Sequence, residues 1–461
     1  MVSAAQSVLT GSNLNSLSPA QRGERVYAID VLRGFALLGI LLLNIDSFGS
    51  VQSAHDIPLI ESFYGLHGHI NFAVFLFKWL FFEGKARGLF SMLFGAGVLL
   101  LATRAEERGA AASVADIFTR RNLLLMLFGF LHGTFIWDGD ILFDYGLSAL
   151  LFLYPARKLK ANWLIIGGIV LSVTLGTFGV LQFTGSIPDL VLSKQVRLVR
   201  QQQLAHQTLS PADQAVLKEW QDTIDQHTLT PALVDKQRAF GRGAYWQHVH
   251  ENLSLYFGTR SVLHVDAMPE TLSAMLLGMG LFKIGFLTAE AADSVYLITA
   301  LLGFMISLPL YLCALLSAYN ARFDFIVLDK WVWIPYDSTR IAGMLSLAAV
   351  IMLIVKHGVL QVPQRWLAAI GRTALSNYIG TSLLCQLLFS WGPWKLFGRL
   401  EYYQLMYVVS GVWAVNIIGS TLWLRSFEFG PIEWVWRSLT YCKLQPMLPR
   451  AERTAMGADP V

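Results

Sequence analysis

Apolar residues run through this chain in blocks about as long as a bilayer is thick, separated by short polar breaks. A helix needs about 20 mostly apolar residues to cover the hydrocarbon core. On that measure ten spans are predicted, at 26–48, 86–103, 121–137, 139–155, 162–183, 271–288, 294–318, 340–357, 372–391 and 403–425. The run 71–82 (NFAVFLFKWLFF) is short, and reads as an interfacial helix or as one running into the second span. The long polar stretch 184–269 is Gln-rich, with Leu198, Leu204, Leu209, Val216, Trp220 and Ile224 spaced as in short amphipathic helices. Pro188, Pro211 and Pro231 punctuate it. The pattern predicts an all-α polytopic membrane bundle. Its parts are a disordered tail (1–24), five spans (25–183), an outer cap (184–269), five more spans (270–426), and an interfacial helix with a tail (427–461).

Composition strengthens this picture. Hydrophobic residues make up 54% of the 461 and charged residues 14%, where a soluble protein carries about 25% charge. The three cysteines, Cys313, Cys385 and Cys442, are scattered and form no disulfide framework. The tail lacks the pattern of a cleaved signal peptide. No HExxH, paired CxxC or Gly-rich phosphate loop occurs, and no basic–aromatic stretch of the kind that binds nucleic acid. No metal and no nucleic acid are therefore expected. With ten spans, Arg22 and Arg25, Arg104, Arg108, Arg120 and Arg121, Arg157, Lys158 and Lys160, and Arg365 and Arg372 fall on one side. The positive-inside rule makes that side cytoplasmic, with both termini on it.

Polar residues inside the spans are the candidates for chemistry, because ionisable groups there are costly and face cavities or partners. In the first span Asp30 and Arg33 are three apart and can pair; Arg33 and Asn44, eleven apart, share a face to within about 20°. Arg121 and His132 repeat that spacing in the third span, with Gly129 and Gly133 as a small-xxx-small pair beside the histidine. Asp138, Asp140 and Asp144 follow at the joint FGFLHGTFIWDGDILFDYGL, and the first two are placed to orient an imidazole. Lys85 and Arg87 read as snorkelling residues at the interface. His55, His67 and His69 read as solvated loop. Arg372 and Asn377 open the ninth span in GRTALSNYIG, and FEFGPIEWVWRSLTY reads as a short helix on the inner leaflet.

Four stretches, RVYAIDVLRGFALLGILLLNIDSF, LFGFLHGTFIWDGDILFDYGL, GRTALSNYI and GPIEWVWRSLTY, resemble the landmarks of the YeiB-like family, bacterial membrane proteins classed as a domain of unknown function. That family is more distantly similar to transmembrane acyltransferases such as heparan-alpha-glucosaminide N-acetyltransferase. The similarity implies transfer of an acyl group from cytoplasmic acyl-CoA to an acceptor on the far side, with a histidine as base. The His-Ala-Ser-Trp context of the N-acetyltransferase is missing here, which leaves His132 as the candidate base. On this reading Arg33, Arg121, Arg372 and Asn377 bind acyl-CoA, Asp138 or Asp140 holds His132, and Asn44 stabilises the oxyanion. The expected partners are membrane lipids and a glycan or lipid acceptor, with a homodimer left open. The alternatives are a transporter of a small or lipidic solute through the same polar cavity, and a non-catalytic scaffold. No internal repeat of the transporter kind is present.

Overall fold

The computed structural model describes residues 26–51, 60–107, 114–177, 186–227 and 230–448. The predicted N-terminal tail with Arg22 and Arg25, His55 and Arg108 lie outside these. The described residues are helical and contain no strand, so the all-α expectation holds.

Helices α1 (Tyr27–Gly49), α2 (Gly68–Phe81), α3 (Lys85–Glu107) and α4 (Val114–Phe135) begin the bundle. Next come α5 (Leu142–Ser148), which continues through a π-helical turn (Ala149–Leu153), and α6 (Ala161–Leu171). The polar stretch forms α7 (Ser186–Leu204), α8 (Pro211–His227), α9 (Pro231–Gly241) and α10 (Tyr245–Phe257). The C-terminal half holds α11 (Thr259–Lys283), α12 (Asp293–Asn320), α13 (Tyr336–Lys356), α14 (Gln361–Arg372), α15 (Ala374–Gln386), α16 (Leu405–Ser426) and α17 (Pro431–Thr440).

Five segments among the described residues are long and apolar enough to cross a membrane: Tyr27–Gly49, Gly68–Arg104, Asp293–Asn320, Tyr336–Lys356 and Tyr402–Ser426. The ten-span count is not reproduced by that measure. Helix α4 has the length, but Arg120, Arg121, Asn122 and His132 dilute its hydropathy. The predicted loop 357–372 is instead mostly helix α14, entered through Leu360 in a left-handed turn (φ 58°). The run 71–82 is part of the 14-residue α2, separated from α3 by a turn at Gly84 (φ 65°), a conformation that suits glycine. At 1.5 Å per residue α2 spans about 21 Å, short of the bilayer core.

Two reciprocal glycine contacts set the tightest helix pairs. A Cβ on Gly34 of α1 would strike the Leu367 carbonyl of α14, and one on Gly371 would strike the Asp30 carbonyl of α1. Gly95 of α3 and Gly278 of α11 meet the Met275 and Met92 carbonyls in the same way. Small residues let backbones approach where lipid supplies no hydrophobic drive.

Charge is also buried between helices. Lys85 is fully buried, with Nζ donating to the Trp79 carbonyl (3.0 Å) and lying 4.3 Å from the Tyr311 ring centroid. Arg87 donates to Glu270 of α11 (2.9 and 3.2 Å), and Arg340 of α13 lies 3.7 Å from the same carboxylate. Arg340, with no solvent exposure, also binds Asp337 (2.9 Å) and the Ser172 hydroxyl (3.2 Å). Tyr336 donates to Glu83 (2.9 Å). The snorkelling expected of Lys85 is therefore corrected, since its ammonium points into the protein against the ring of Tyr311 on a distant helix. Arg87 stays exposed, as expected, while pairing with Glu270.

Candidate functional site

A cavity of about 260 Å³ opens between α1, α3, α4, α15 and α17. Each helix delivers an arginine or a lid residue from its polar end. Arg33 comes from the first third of α1, Arg104 from the last turn of α3, Arg121 from α4, Arg372 from the end of α14 and Arg437 from α17. Asp30 and Glu433 are the acidic side chains of the wall. Five guanidinium groups thus face two carboxylates, and both carboxylates are already engaged. Asp30 accepts from Arg33 (3.0 Å), which also donates to the Gly371 carbonyl (3.3 Å). Glu433 accepts from the Leu375 and Ser376 amides (2.6 and 3.2 Å), where it caps α15. Arg121 lies 3.8 Å from the Trp436 ring centroid, and the indole N–H donates to the Arg121 carbonyl (3.0 Å). That contact fixes the interfacial helix α17, expected from its Gly-Pro start and paired tryptophans, as the floor of the cavity. Phe90, Leu93, Phe94, Val98 and Leu125 make the deeper wall apolar.

The cavity ends against Tyr145 and Tyr378. Tyr145 shares a 2.6 Å hydrogen bond with Ser91. Tyr378 also borders a second, very small cavity with Asn44, Thr381 and Ser382. Its ring centroid is 4.9 Å from that of His132. His132 Nδ1 is 2.9 Å from Asp140 Oδ1, and both side chains are buried. The other Asp140 oxygen accepts from the Phe143 amide (2.9 Å), holding the carboxylate at the start of α5. Gly129 permits this hairpin, since a Cβ there would meet the Phe143 backbone and the Asp140 carboxylate. His132 Nε2 is buried and has no partner.

The structure brings together Arg33, Arg121 and Arg372 around one space, and His132 with Asp140 beyond it. Asn44 sits one cavity away, next to Tyr378. Two residues are placed differently from the expectation. Asp138 is exposed and makes no hydrogen bond to His132, because the turn at 137–139 points it outward. Asn377 does not line the cavity; it donates to Thr373 and Ser420 hydroxyls (2.8 Å each) and links α15 to α16. Its neighbour Tyr378, about 100° around the helix, faces the cavity instead. Glu433, Tyr145 and Tyr378 were not singled out from sequence, and Arg104 and Arg437 were read there only as interfacial charges. Arg437 and Glu433 carried the available signal, as charges within the Trp-rich segment after the last span. His67, expected as solvated loop, lies 3.0 Å from Glu401.

Fold and site together define an all-α membrane protein with an arginine-lined cavity that ends at a buried His–Asp pair. Residues 281–443 match the family described as "Protein of unknown function (DUF418)". The chain is 28% identical to the uncharacterized protein YxaH of Bacillus subtilis (strain 168) over 444 residues, covering 95% of this chain and all of the relative. It is 29% identical to the uncharacterized protein YeiB of Escherichia coli (strain K12) over 446 residues, 93% of this chain and all of that protein. An uncharacterized 39.9 kDa protein of Bacillus acidopullulyticus is 25% identical over 437 residues. The resemblance to the YeiB-like family that the four sequence landmarks carried is thus borne out along nearly the whole chain.

Proposed function

We propose that this protein transfers an acyl group from cytoplasmic acyl-CoA to a hydroxyl or amine at the outer side of the inner membrane, with both termini in the cytoplasm. The observation that carries this reading is the buried His132–Asp140 pair with an unpartnered Nε2, lying behind Tyr378 at the end of an arginine-lined cavity. The arginines supply charge-assisted hydrogen bonds for phosphates, and the apolar inner wall suits the arm and acyl chain behind them. Asp140 keeps the proton on Nδ1, so Nε2 is the basic nitrogen. It takes the proton of the acceptor as that oxygen or nitrogen attacks the thioester carbonyl. The carbon–sulfur bond then breaks, and the proton leaves on the CoA thiol. Asn44, which lines a small cavity together with Tyr378, is the candidate donor to the oxyanion.

A test is the release of free CoA by purified protein in the presence of a mixed acceptor extract. We expect His132→Ala to lower turnover about 10²–10⁴-fold, the usual contribution of a positioned general base, while acyl-CoA binding stays intact. Unchanged turnover in that variant, or no binding of acyl-CoA by the wild type, would sink the proposal. Transport of a small or lipidic solute through the same polar cavity remains the second reading, and the cavity's arginines above an apolar inner wall are what favour it. It predicts solute-dependent proton movement in vesicles without CoA release.

A further inference from the structure

The end of the bundle that carries the α4–α5 joint bears another concentration of positive charge, separate from the arginine cavity. Arg242, just past α9, lies with Lys395 and Arg399 of the 392–401 connection. Their hydrogen bonds interlock. Arg242 Nε donates to the Phe397 carbonyl (2.7 Å), Lys395 Nζ to the Arg242 carbonyl (2.6 Å), and an Arg399 nitrogen to the Trp394 carbonyl (3.2 Å). All three bonds go to backbone. Among the described residues no ion pair joins Arg242, Lys395 or Arg399 to a carboxylate, whereas nearby Arg238 pairs with Asp235 (3.4 Å).

This arrangement is unfavourable as it stands. Lys395 has φ 43°, in the left-handed region that side-chain-bearing residues seldom adopt. Burial, and after it the like charges of Arg399 and Arg238, push the Arg242 guanidinium below its ordinary pKa. Strain and repulsion of this sort persist where function uses them. Topology does not require the cluster, since Arg33, Arg104, Arg121 and Arg372 already gather at the opposite end. The position is also specific. Helix α10 runs from the cluster onto the span that holds the base, with the Tyr245 hydroxyl on the Phe135 carbonyl (3.1 Å). Burial holds the His248 imidazole of α10 below its ordinary pKa, with Asp138 acting to raise it and Lys395 to lower it. Trp246 and Trp394, close in sequence to Arg242 and Lys395, are 71% and 53% exposed.

We propose that Arg242, Lys395 and Arg399 bind a phosphate group, and that this phosphate belongs to the acceptor that meets His132. Three donors already held by backbone carbonyls need little ordering to close on a tetrahedral anion, and the anion removes their mutual repulsion. The first half stands on charge and geometry alone, and the second rests on the acyl-transfer reading. The phosphate can reach the site on a lipid headgroup within the leaflet or on a water-soluble polyol phosphate.

The experiment uses full-length protein in phosphatidylcholine nanodiscs. One arm titrates glycerol 3-phosphate from the water, followed by tryptophan fluorescence. The other adds phosphatidylglycerol to the disc and counts retained lipid by native mass spectrometry. We expect one arm to show saturable binding, weakened about tenfold or more in R242Q/K395Q/R399Q, the loss expected for charge-assisted bonds. The charge-keeping R242K/K395R/R399K should bind more tightly than the neutralised variant but more weakly than the wild type, since it restores the charge without the carbonyl-held donors. The arm that binds names the source. If neither probe binds, or the neutralised variant binds as well as the wild type, there is no phosphate site. If binding is lost but the acceptor KM for acyl transfer is unchanged, the phosphate is not the acceptor's.

Discussion

Two regions of this bundle bury charge, and they do so in opposite ways. Around Glu270, cations and carboxylates alternate: Arg87, Glu270, Arg340 and Asp337 satisfy one another, with Tyr336 on Glu83 alongside. Around Arg121, five guanidinium groups line open space and the two carboxylates of the wall are spent on Arg33 and on the end of α15. Ions taken out of water are stable only with good partners. The first region has its partners within the chain and is filled. The second gathers five arginines on a wall with two carboxylates and keeps open space beside them, which is how a site for an anion differs from a filled structural network.

That contrast can be broken by mutation. The largest effect is expected from Arg340→Ala, which leaves Glu270 and Asp337 short of a buried partner. Removing one member of a buried ion pair costs about 3–5 kcal/mol, so the thermal unfolding midpoint in detergent should fall sharply. Arg121→Gln should act the other way around. Loss of a charged hydrogen bond to a ligand is worth about 1.5–3 kcal/mol, so acyl-CoA affinity should drop about 10- to 100-fold by titration calorimetry, while the unfolding midpoint falls far less than in Arg340→Ala because only the stacking on Trp436 is lost from the fold. If Arg121→Gln unfolds the protein and Arg340→Ala does not, the two regions have been assigned the wrong way round. Asn377→Ala removes a link between α15 and α16 and should cost about 1 kcal/mol of stability, with acyl-CoA binding unchanged. Asp138→Asn is the smallest change, within about 0.5 kcal/mol for an exposed side chain. A full loss of CoA release in that variant would mean that the outward-facing aspartate, not Asp140, supports His132.

Residues whose setting is local were legible in the sequence. Arg33, Arg121 and Arg372 stand at polar ends of apolar runs, and helical spacing alone put Asp30 beside Arg33. His132 stood out as an ionisable group within a span, and the aspartates after it were the evident partners. Which aspartate holds it was not legible, because Asp138 and Asp140 differ only in how one turn folds. Asn377 and Tyr378 differ by one step of helical phase, and that step separates a helix–helix bond from the cavity wall. Lys85 looked like an interfacial residue, and the pairing of Arg87 was not legible, because Tyr311 and Glu270 lie on helices more than 180 residues further on. Helix α14 looked like a loop because its 12 residues are too few to register as a span.

The two glycine contacts have a mechanical consequence. Where α1 meets α14, and where α3 meets α11, backbone rests on backbone with no side chains between to deform. Helices usually slide past one another by small rotamer changes at their contact, and these two contacts have none to offer. Each pair must therefore travel as one body, and any breathing that admits a ligand has to come from elsewhere around the cavity. The α4–α5 hairpin and α17 are the elements left to supply it. The arginines on α1 and α14 would then form the fixed jaw, and Arg121 and Arg437 the moving one.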